Sequence, residues 1–449
     1  MAGALLRLSL SSFYPFFRRY HPGARNISPP SVSGQRLAEC RRAFHRQPIG
    51  IHQQPPIKRP SVEMIPAKND TYRREREVAV AAVLQASIVT RRIFDQLIRP
   101  HLTAGCNDKA SITKVDRSPV TVGDYTVQAL VNFILSKYFP NDEIVGEEDS
   151  SELLNTTDKK HLEQIVNFTN QALTEDRLST GDDEKEWAEF RNQSKLSQDD
   201  LVKLIDLGNS MGGKRAGNRR FWTLDPIDGT KGFLRGEHYA ICLALIVDGK
   251  VVLGVVGTPN LPLQGASCPP THQPEGVLFF AEEGAGAFQR PLNSDQYTAI
   301  QMPYLSPEVL AQNGTFCEST ESAHSDHRLA LDIVTQLKMA NAQSPIRIDS
   351  QAKYCILARG DTHLYFRLPT QPDYQEKIWD HAAGSILISE AGGKVTDLKG
   401  EPLDFSCGRT LSNNQVGFVA VHRLSLDHVL LSTQEAARKC GVLPPQPSL

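Results

Sequence analysis

The chain lacks most of the features that would place it in a specialised class. Its 449 residues hold eight cysteines, none in a CxxC pair and none at a repeating spacing. That argues against a zinc site and a disulfide framework, and it fits a reducing compartment. Charge of one sign is missing as well. The formal net charge is −2, which gives no footing for a nucleic-acid-binding surface or an acidic tail. Near the centre of the chain the longest apolar run, Tyr239 to Val247, falls far short of the roughly 20 residues of a bilayer-spanning helix. Internal repeats are also absent. Neither a nucleic acid nor a membrane is therefore expected as a partner. What is left is an ordinary globular composition, 40% hydrophobic, long enough for two or three domains.

The small net charge hides an uneven distribution. Residues 1–60 carry nine Arg and one Lys against a single acid, Glu39, a net +9. They are also rich in Ser and Pro and begin with Leu and Phe (Leu5, Leu6, Leu8, Leu10, Phe13, Phe16, Phe17). This is the composition of a mitochondrial transit peptide. A secretory signal fits less well, because Arg7 interrupts the apolar stretch and no charged region precedes it. A disordered basic tail on a cytoplasmic protein, or an upstream start codon, is the alternative.

Beyond residue 60 the pattern predicts an α+β or α/β fold. Apolar spacing over 71–98 reads as a helix ended by Pro100. A second helix spans 125–138, with Asp124 in its N-cap position. A short strand over 143–145 leads into Gly146-Glu147-Glu148-Asp149, and a polar, acid-rich insert follows near 150–215, with a helix at 199–207. Asp248-Gly249 and Glu283-Gly284 then mark two hairpins and hence an antiparallel sheet. From about residue 304, helical runs (329–339, 381–391) alternate with short strands (346–348, 363–366, 395–397, 416–421). The expected division is thus an N-terminal α+β domain over 61–303 and a C-terminal α/β domain over 304–449.

The most informative run is Trp222-Thr-Leu-Asp225-Pro-Ile-Asp228-Gly-Thr230. Pro226 cannot continue a ladder, so the strand ends there with two acids three residues apart. Crowded carboxylates repel unless a cation sits between them, and hard ions such as Mg²⁺ favour oxygen clusters of this kind. Gly229 and Thr230 could open a helix whose free N–H groups favour a phosphate. An Asp-Gly pair by itself would mark only a hairpin. Glu147 taken singly is equally a solvated turn, and Asp380 taken singly is a helix cap. The case for phosphoryl chemistry rests on the four acids Glu147, Asp225, Asp228 and Asp380, each at the end of an element.

Three of these segments carry a resemblance to a known family. Gly146-Glu147-Glu148, Asp225-Pro-Ile-Asp228-Gly-Thr230 and Trp379-Asp380-His-Ala-Ala-Gly384 are similar to the three signatures of the inositol monophosphatase superfamily. More narrowly, Lys231-Gly-Phe-Leu-Arg-Gly236, Asp349-Ser-Gln-Ala-Lys353-Tyr354 and Tyr374-Gln-Glu-Lys-Ile-Trp379-Asp380 resemble the 3′(2′),5′-bisphosphate nucleotidases. So does the long gap between Glu147 and Asp225. The resemblance covers roughly residues 70–440. It implies a layered αβαβα sandwich and a Mg²⁺-dependent, Li⁺-sensitive phosphomonoesterase using two to three ions.

By the same resemblance Glu147, Asp225, Asp228, the Ile227 carbonyl and Asp380 would hold the ions. Asp124 and Thr230 would orient and deprotonate the attacking water. The N–H groups of Gly229 and Thr230 would cradle the phosphate. Ser350, Lys353, Arg367 and His324 would lie near the adenine and 5′-phosphate of a small nucleotide substrate. The family usually shows Gly-His-Ser-Ser-His around His324, whereas this chain reads Ala323-His324-Ser325-Asp326-His327. The implied reaction removes the 3′-phosphate of adenosine 3′,5′-bisphosphate to give AMP. The 3′-phosphorylated sulfate donor would become adenosine 5′-phosphosulfate in the same way. A monomer is expected. Two rivals stay open on sequence: an inositol phosphate phosphatase with the same metal site, and a non-catalytic nucleotide or metal sensor.

Overall fold

The computed structural model describes residues 71–100, 111–113, 119–155, 159–174, 195–213, 220–266, 275–322, 325–371, 374–412 and 415–445. The basic segment 1–60, the acids Asp182 to Glu189 and His324 lie outside them. Residues Pro60–Leu449 form one compact unit.

Helix α1 (Arg73–Ile93) opens the described chain and passes into a wider π turn, Phe94–Ile98. A short antiparallel pair, β1 (Ser111–Thr113) and β2 (Pro119–Thr121), leads into α2 (Val122–Tyr138). Strand β3 (Glu143–Gly146) follows, and the polar insert contributes α3 (Ser150–Asn155), α4 (Lys159–Leu173) and α5 (Gln198–Asp206). Ser197 and Asp200 start α5 with reciprocal side-chain to backbone bonds. Strand β4 (Arg220–Asp228) and the one-turn α6 (Thr230–Arg235) carry the central motif. Strands β5 (Ala240–Val247), β6 (Lys250–Thr258), β7 (Val277–Glu282), β8 (Gly286–Pro291) and β9 (Thr298–Ile300) complete a sheet in the order β3-β4-β5-β6-β7-β8-β9. Only β3 and β4 are parallel in it. Asp248 (φ 54°) and Gly249 (φ 79°) turn the β5–β6 hairpin with both residues left-handed, the geometry that makes Asp-Gly a hairpin signal.

The second half supplies α7 (Pro307–Asn313), β10 (Phe316–Glu318), α8 (His327–Gln336), β11 (Ile346–Arg347), α9 (Ala352–Arg359) and β12 (Leu364–Arg367). After a 3₁₀ turn, Ile378–Asp380, come α10 (Ala382–Glu390), β13 (Gly393–Asp397), β14 (Phe418–His422) and α11 (Leu426–Lys439). The mixed second sheet runs β11-β10-β12-β14-β13.

Alternation along the strands explains the layers, because successive residues face opposite sides of a sheet. From β4 and β5, Trp222, Leu224, Ile241, Leu243 and Leu245 pack with α1 and α2, while Phe221, Cys242, Ala244 and Ile246 pack with α9 and α10. In β12, Tyr365 faces that same middle layer, and Leu364 and Phe366 face α8 and α11. The result is helices, sheet, helices, sheet, helices: the α/β layered sandwich expected. The middle layer matters most, since the ends of β3 and β4 meet α9 and the 3₁₀ turn there.

Candidate active site

Pro226 lacks the N–H that a ladder needs, and the β4–β5 register slips between Asp225 and Asp228. The strand therefore does not end at the proline as expected but runs on to Asp228, and both acids reach one cavity from either side of the slip. Parallel pairing sets Gly146 of β3 opposite Leu224, so Glu147 emerges beside Asp225. Gly229, at φ 84°, turns the chain into α6; a Cβ there would lie 3.2 Å from that of Ser350. The Thr230 hydroxyl donates to the Ile227 carbonyl at 3.1 Å.

Two expected helix caps are corrected. Helix α2 begins at Val122, so Asp124 sits inside its first turn rather than at the N-cap. Asp380 ends the 3₁₀ turn, and the N-cap of α10 is His381, which makes no capping bond. Neither carboxylate is thereby explained as a cap.

A cavity of about 330 Å³ gathers the remaining candidates. Glu147, Asp225, Ile227, Asp228, Gly229, Thr230, Ser350, Lys353, Arg367 and Asp380 all line it. Asp124 does not line it but is buried and close enough to act on Asp225. Sites of this size usually take small molecules, from roughly 300 Å³ upward.

The electrostatics set crowded acids beside two cations in the same cavity. Burial, then Glu147, Asp228, Asp380 and Asp124, push the Asp225 pKa well above the usual carboxylate range. Burial, then Asp228 and Glu147, do the same to Asp380. For Asp228 burial is opposed by Lys353 and by the Gln351 N–H that it accepts, and its pKa comes to about 6. Asp225 Oδ1 is buried with no hydrogen-bond partner among the described residues. A buried, unpaired acceptor amid like charges is costly. A hard divalent cation is the partner this all-oxygen donor set fits.

Two cations, Lys353 and Arg367, act directly on these acids, and both are already engaged. Lys353 is no surface lysine: it is buried, and Nζ donates to the carbonyls of Ser350 (2.8 Å) and Ile348 (3.3 Å). Burial lowers its pKa against the pull of Asp228 and Asp349. Arg367 grips Glu376 with Nε and Nη2, at 2.9 and 3.1 Å. Burial of Arg367 is outweighed by Glu376, and its pKa rises. Glu376, despite its own burial, falls to about 2 through Arg367 and His381. Glu376, Asp380 and His381 bring ligand atoms within 4.8 Å of one another. Both Glu376 oxygens are taken by Arg367 and His381, however, so Glu376 and His381 brace the site and Asp380 alone of the three is left as a candidate ligand.

Sequence reasoning missed the residues that hold the acids in place. Gln128, one turn after Asp124 on α2, accepts from the Glu148 N–H (3.0 Å) and donates to the carbonyls of Glu148 (2.5 Å) and Ile205 (3.0 Å). Gln351 holds Asp228 through its N–H, and its side chain donates to the Trp379 carbonyl (2.7 Å) and accepts from the Gly384 N–H (2.8 Å). Arg235 reaches Asp349 (2.8 Å) and Glu321 (3.0 Å) at the cavity rim. Gln351 and Arg235 lie inside motifs visible in the sequence; Gln128 had no such signal.

Comparison with known proteins agrees with this layout. Residues 76–437 match the inositol monophosphatase family. A 3′(2′),5′-bisphosphate nucleotidase of Schizosaccharomyces pombe is 41% identical over 370 residues, 82% of this chain and 97% of that protein. One from Emericella nidulans is 40% identical over 377 residues, covering 82% and 99%. A third, from Candida albicans, is 39% identical over 378 residues, covering 82% and 98%. The match runs from α1 to α11 and takes in every element that brings an acid to the cavity. The chain therefore belongs to the inositol monophosphatase family and, within it, to the 3′(2′),5′-bisphosphate nucleotidases.

Proposed function

We propose that this chain is a Mg²⁺-dependent phosphomonoesterase that hydrolyses the 3′-phosphate of adenosine 3′,5′-bisphosphate to AMP, and treats the 3′-phosphorylated sulfate donor likewise. The observation that carries this reading is one cavity lined both by crowded acids and by the cations Lys353 and Arg367. A substrate with two phosphates needs both. Glu147, Asp225, Asp228, the Ile227 carbonyl and Asp380 would hold the ions. When bound, Mg²⁺ supplies the positive charge that offsets the attacking and leaving oxygens of an in-line displacement.

The chain's own groups do the rest. The Ile227 carbonyl has two lone pairs, so it can serve an ion while accepting from Thr230. With its proton committed there, the Thr230 oxygen is left to accept from the attacking water and orient it. Asp124 takes the water's proton as the water oxygen bonds to phosphorus, the P–O3′ bond breaks, and the departing O3′ takes a proton from solvent water. The N–H groups of Gly229 and Thr230 hold the phosphate that is cleaved. Ser350, Lys353 and Arg367, which line the cavity, would meet the nucleotide and its 5′-phosphate, and His324, outside the described residues, is assigned there by the family resemblance alone. Lys353 brings a compact charge to that phosphate, whereas the Arg367 fork is already closed on Glu376 through Nε and Nη2 and contributes through its charge.

The test is phosphate release by residues 61–449 from adenosine 3′,5′-bisphosphate and from inositol 1,4-bisphosphate, with Mg²⁺ and with or without Li⁺. The expected result is strong preference for the nucleotide, loss without Mg²⁺ and inhibition by Li⁺. Preference for the inositol phosphate would discredit Lys353 and Arg367 as nucleotide contacts. Binding without release from either would make the protein a sensor. Asp228→Asn should bind nucleotide without turning it over, and turnover within a few-fold of wild type would sink the metal assignment.

We also propose, from the net +9 of residues 1–60, that this segment directs import into mitochondria. Fused to a fluorescent protein it should bring the fusion to that organelle; diffuse cytoplasmic signal would overturn the idea. The purified enzyme is expected to be monomeric, which light scattering checks.

A further inference from the structure

Arg409 belongs to none of the sequence motifs, yet it touches both sides of the acid cluster. Its Nη2 donates to the Gly146 carbonyl at 2.5 Å, immediately before Glu147. Its Nη1 donates to the carbonyls of Gly208 (3.0 Å) and Ser210 (3.1 Å). Gly208 also accepts from the Gly146 N–H at 2.8 Å, so the guanidinium closes a knot around the end of β3. The other contact is with the segment that carries Asp380. The guanidinium carbon lies 4.8 Å from the centroid of the Trp379 ring. The Arg409 carbonyl accepts from the Ile378 N–H at 3.2 Å, and Thr410 bridges to Lys377. Burial lowers the Arg409 pKa, while Asp149 and Glu147 stand close enough to support its charge.

Glu147 and Asp380 belong to different layers and are far apart in sequence, so nothing local fixes their separation. Gln128 secures the Glu147 turn from α2, and Gln351 secures the Asp380 turn from α9. Of these three, Arg409 is the one that holds both turns at once. The guanidinium is well suited to this role, because its rigid planar fork reaches three carbonyls while its flat face lies over the indole ring, and the compact ammonium of lysine does not combine the two in one fixed geometry.

We propose that Arg409 is a positioning residue that sets the spacing of Glu147 and Asp380, and through it the affinity of the site for divalent cations. The proposal rests on the metal-site reading above. Groups that orient metal ligands commonly change metal affinity by roughly 10–100-fold when removed.

The test uses Arg409→Lys and Arg409→Ala in the full chain. Mn²⁺ binding is measured without substrate by electron paramagnetic resonance, and turnover is measured as a function of Mg²⁺. Arg409→Lys should bind Mn²⁺ at least about tenfold more weakly, require correspondingly more Mg²⁺ for half-maximal rate, and recover kcat within about threefold when metal saturates. Added guanidinium should restore Mn²⁺ affinity to Arg409→Ala; if that variant does not fold, the lysine variant carries the test. Unchanged Mn²⁺ affinity in Arg409→Lys, or a loss of kcat that saturating metal does not recover, overturns the proposal. If wild type itself binds no Mn²⁺, the metal-site reading falls and this proposal falls with it. If wild type binds and the lysine variant binds equally, the failure belongs to Arg409 alone.

Discussion

Asp225 is buried, unpaired at Oδ1 and crowded by four other acids. Without a cation its charge works against the fold, so function and stability oppose each other at this residue. Asp225→Asn should therefore melt at a higher temperature than wild type when both are metal-free. It should also lose more activity than the roughly 10–100-fold that removing a residue behind a metal ligand costs. A variant that melts lower without metal would contradict the idea that repulsion dominates there. Burial, with Glu147 adding to it, sets a pH dependence at Asp228. Asp228 binds its proton up to about pH 6 in the folded state, against an ordinary value of 3.8. In that window the folded state holds more protons than the unfolded one, so stability falls as pH rises. Metal-free protein should lose thermal stability from about pH 4 to about pH 6, and a flat melting profile there would count against it. These acids were legible in the sequence because each stands beside a local signal, a proline, a glycine or a strand end. Arg409 and Gln128 were not, since their partners are backbone carbonyls from remote segments, and a carbonyl leaves no mark in a sequence.

At the scale of elements, small residues and buried amides decide where the acids point. A Cβ on Gly146 would lie 2.6 Å from Gln128 Oε1, and Gln128 has no slack because it serves both Glu148 and Ile205. Gly146→Ala should displace Gln128, cost about 1–3 kcal/mol in urea unfolding, and raise the Mg²⁺ concentration needed for half-maximal rate. An alanine variant as stable as wild type with the same Mg²⁺ requirement would show that the β3 end is softer than its contacts indicate. The β5–β6 hairpin was legible because Asp248-Gly249 has a conformational reason to be there. Helix α9 was not. Ala352 through Ala358 are buried without interruption, so no polar face gives it a 3.6-residue period. Strand β10 is three residues long and buried on both faces, too short to alternate. The two acids expected to cap helices were misplaced by the same limit, because a residue or two at a helix start decides what a carboxylate is for.

For the whole molecule, the α+β and α/β content followed from hairpin signals and helical runs and the layered order from the family resemblance, whereas the meeting of β3, β4, α9 and the 3₁₀ turn at one cavity needed three-dimensional packing. Glu147, Asp225 and Asp228 come from the first sheet, and Asp380 comes from the turn before α10. An ion held by all four binds the folded state and not the unfolded chain. At a free concentration one hundred times its Kd it would add about 2.7 kcal/mol. Mg²⁺ should accordingly raise the melting temperature of wild type but not of Asp225→Asn, as differential scanning calorimetry would show; an equal rise in both would place the ion elsewhere. On that reading the ion would also tie the end of the first sheet to the turn before α10. In a cell, copies starved of metal would be the copies most open to proteases, so the abundance of the enzyme would follow its ion supply without any dedicated regulator.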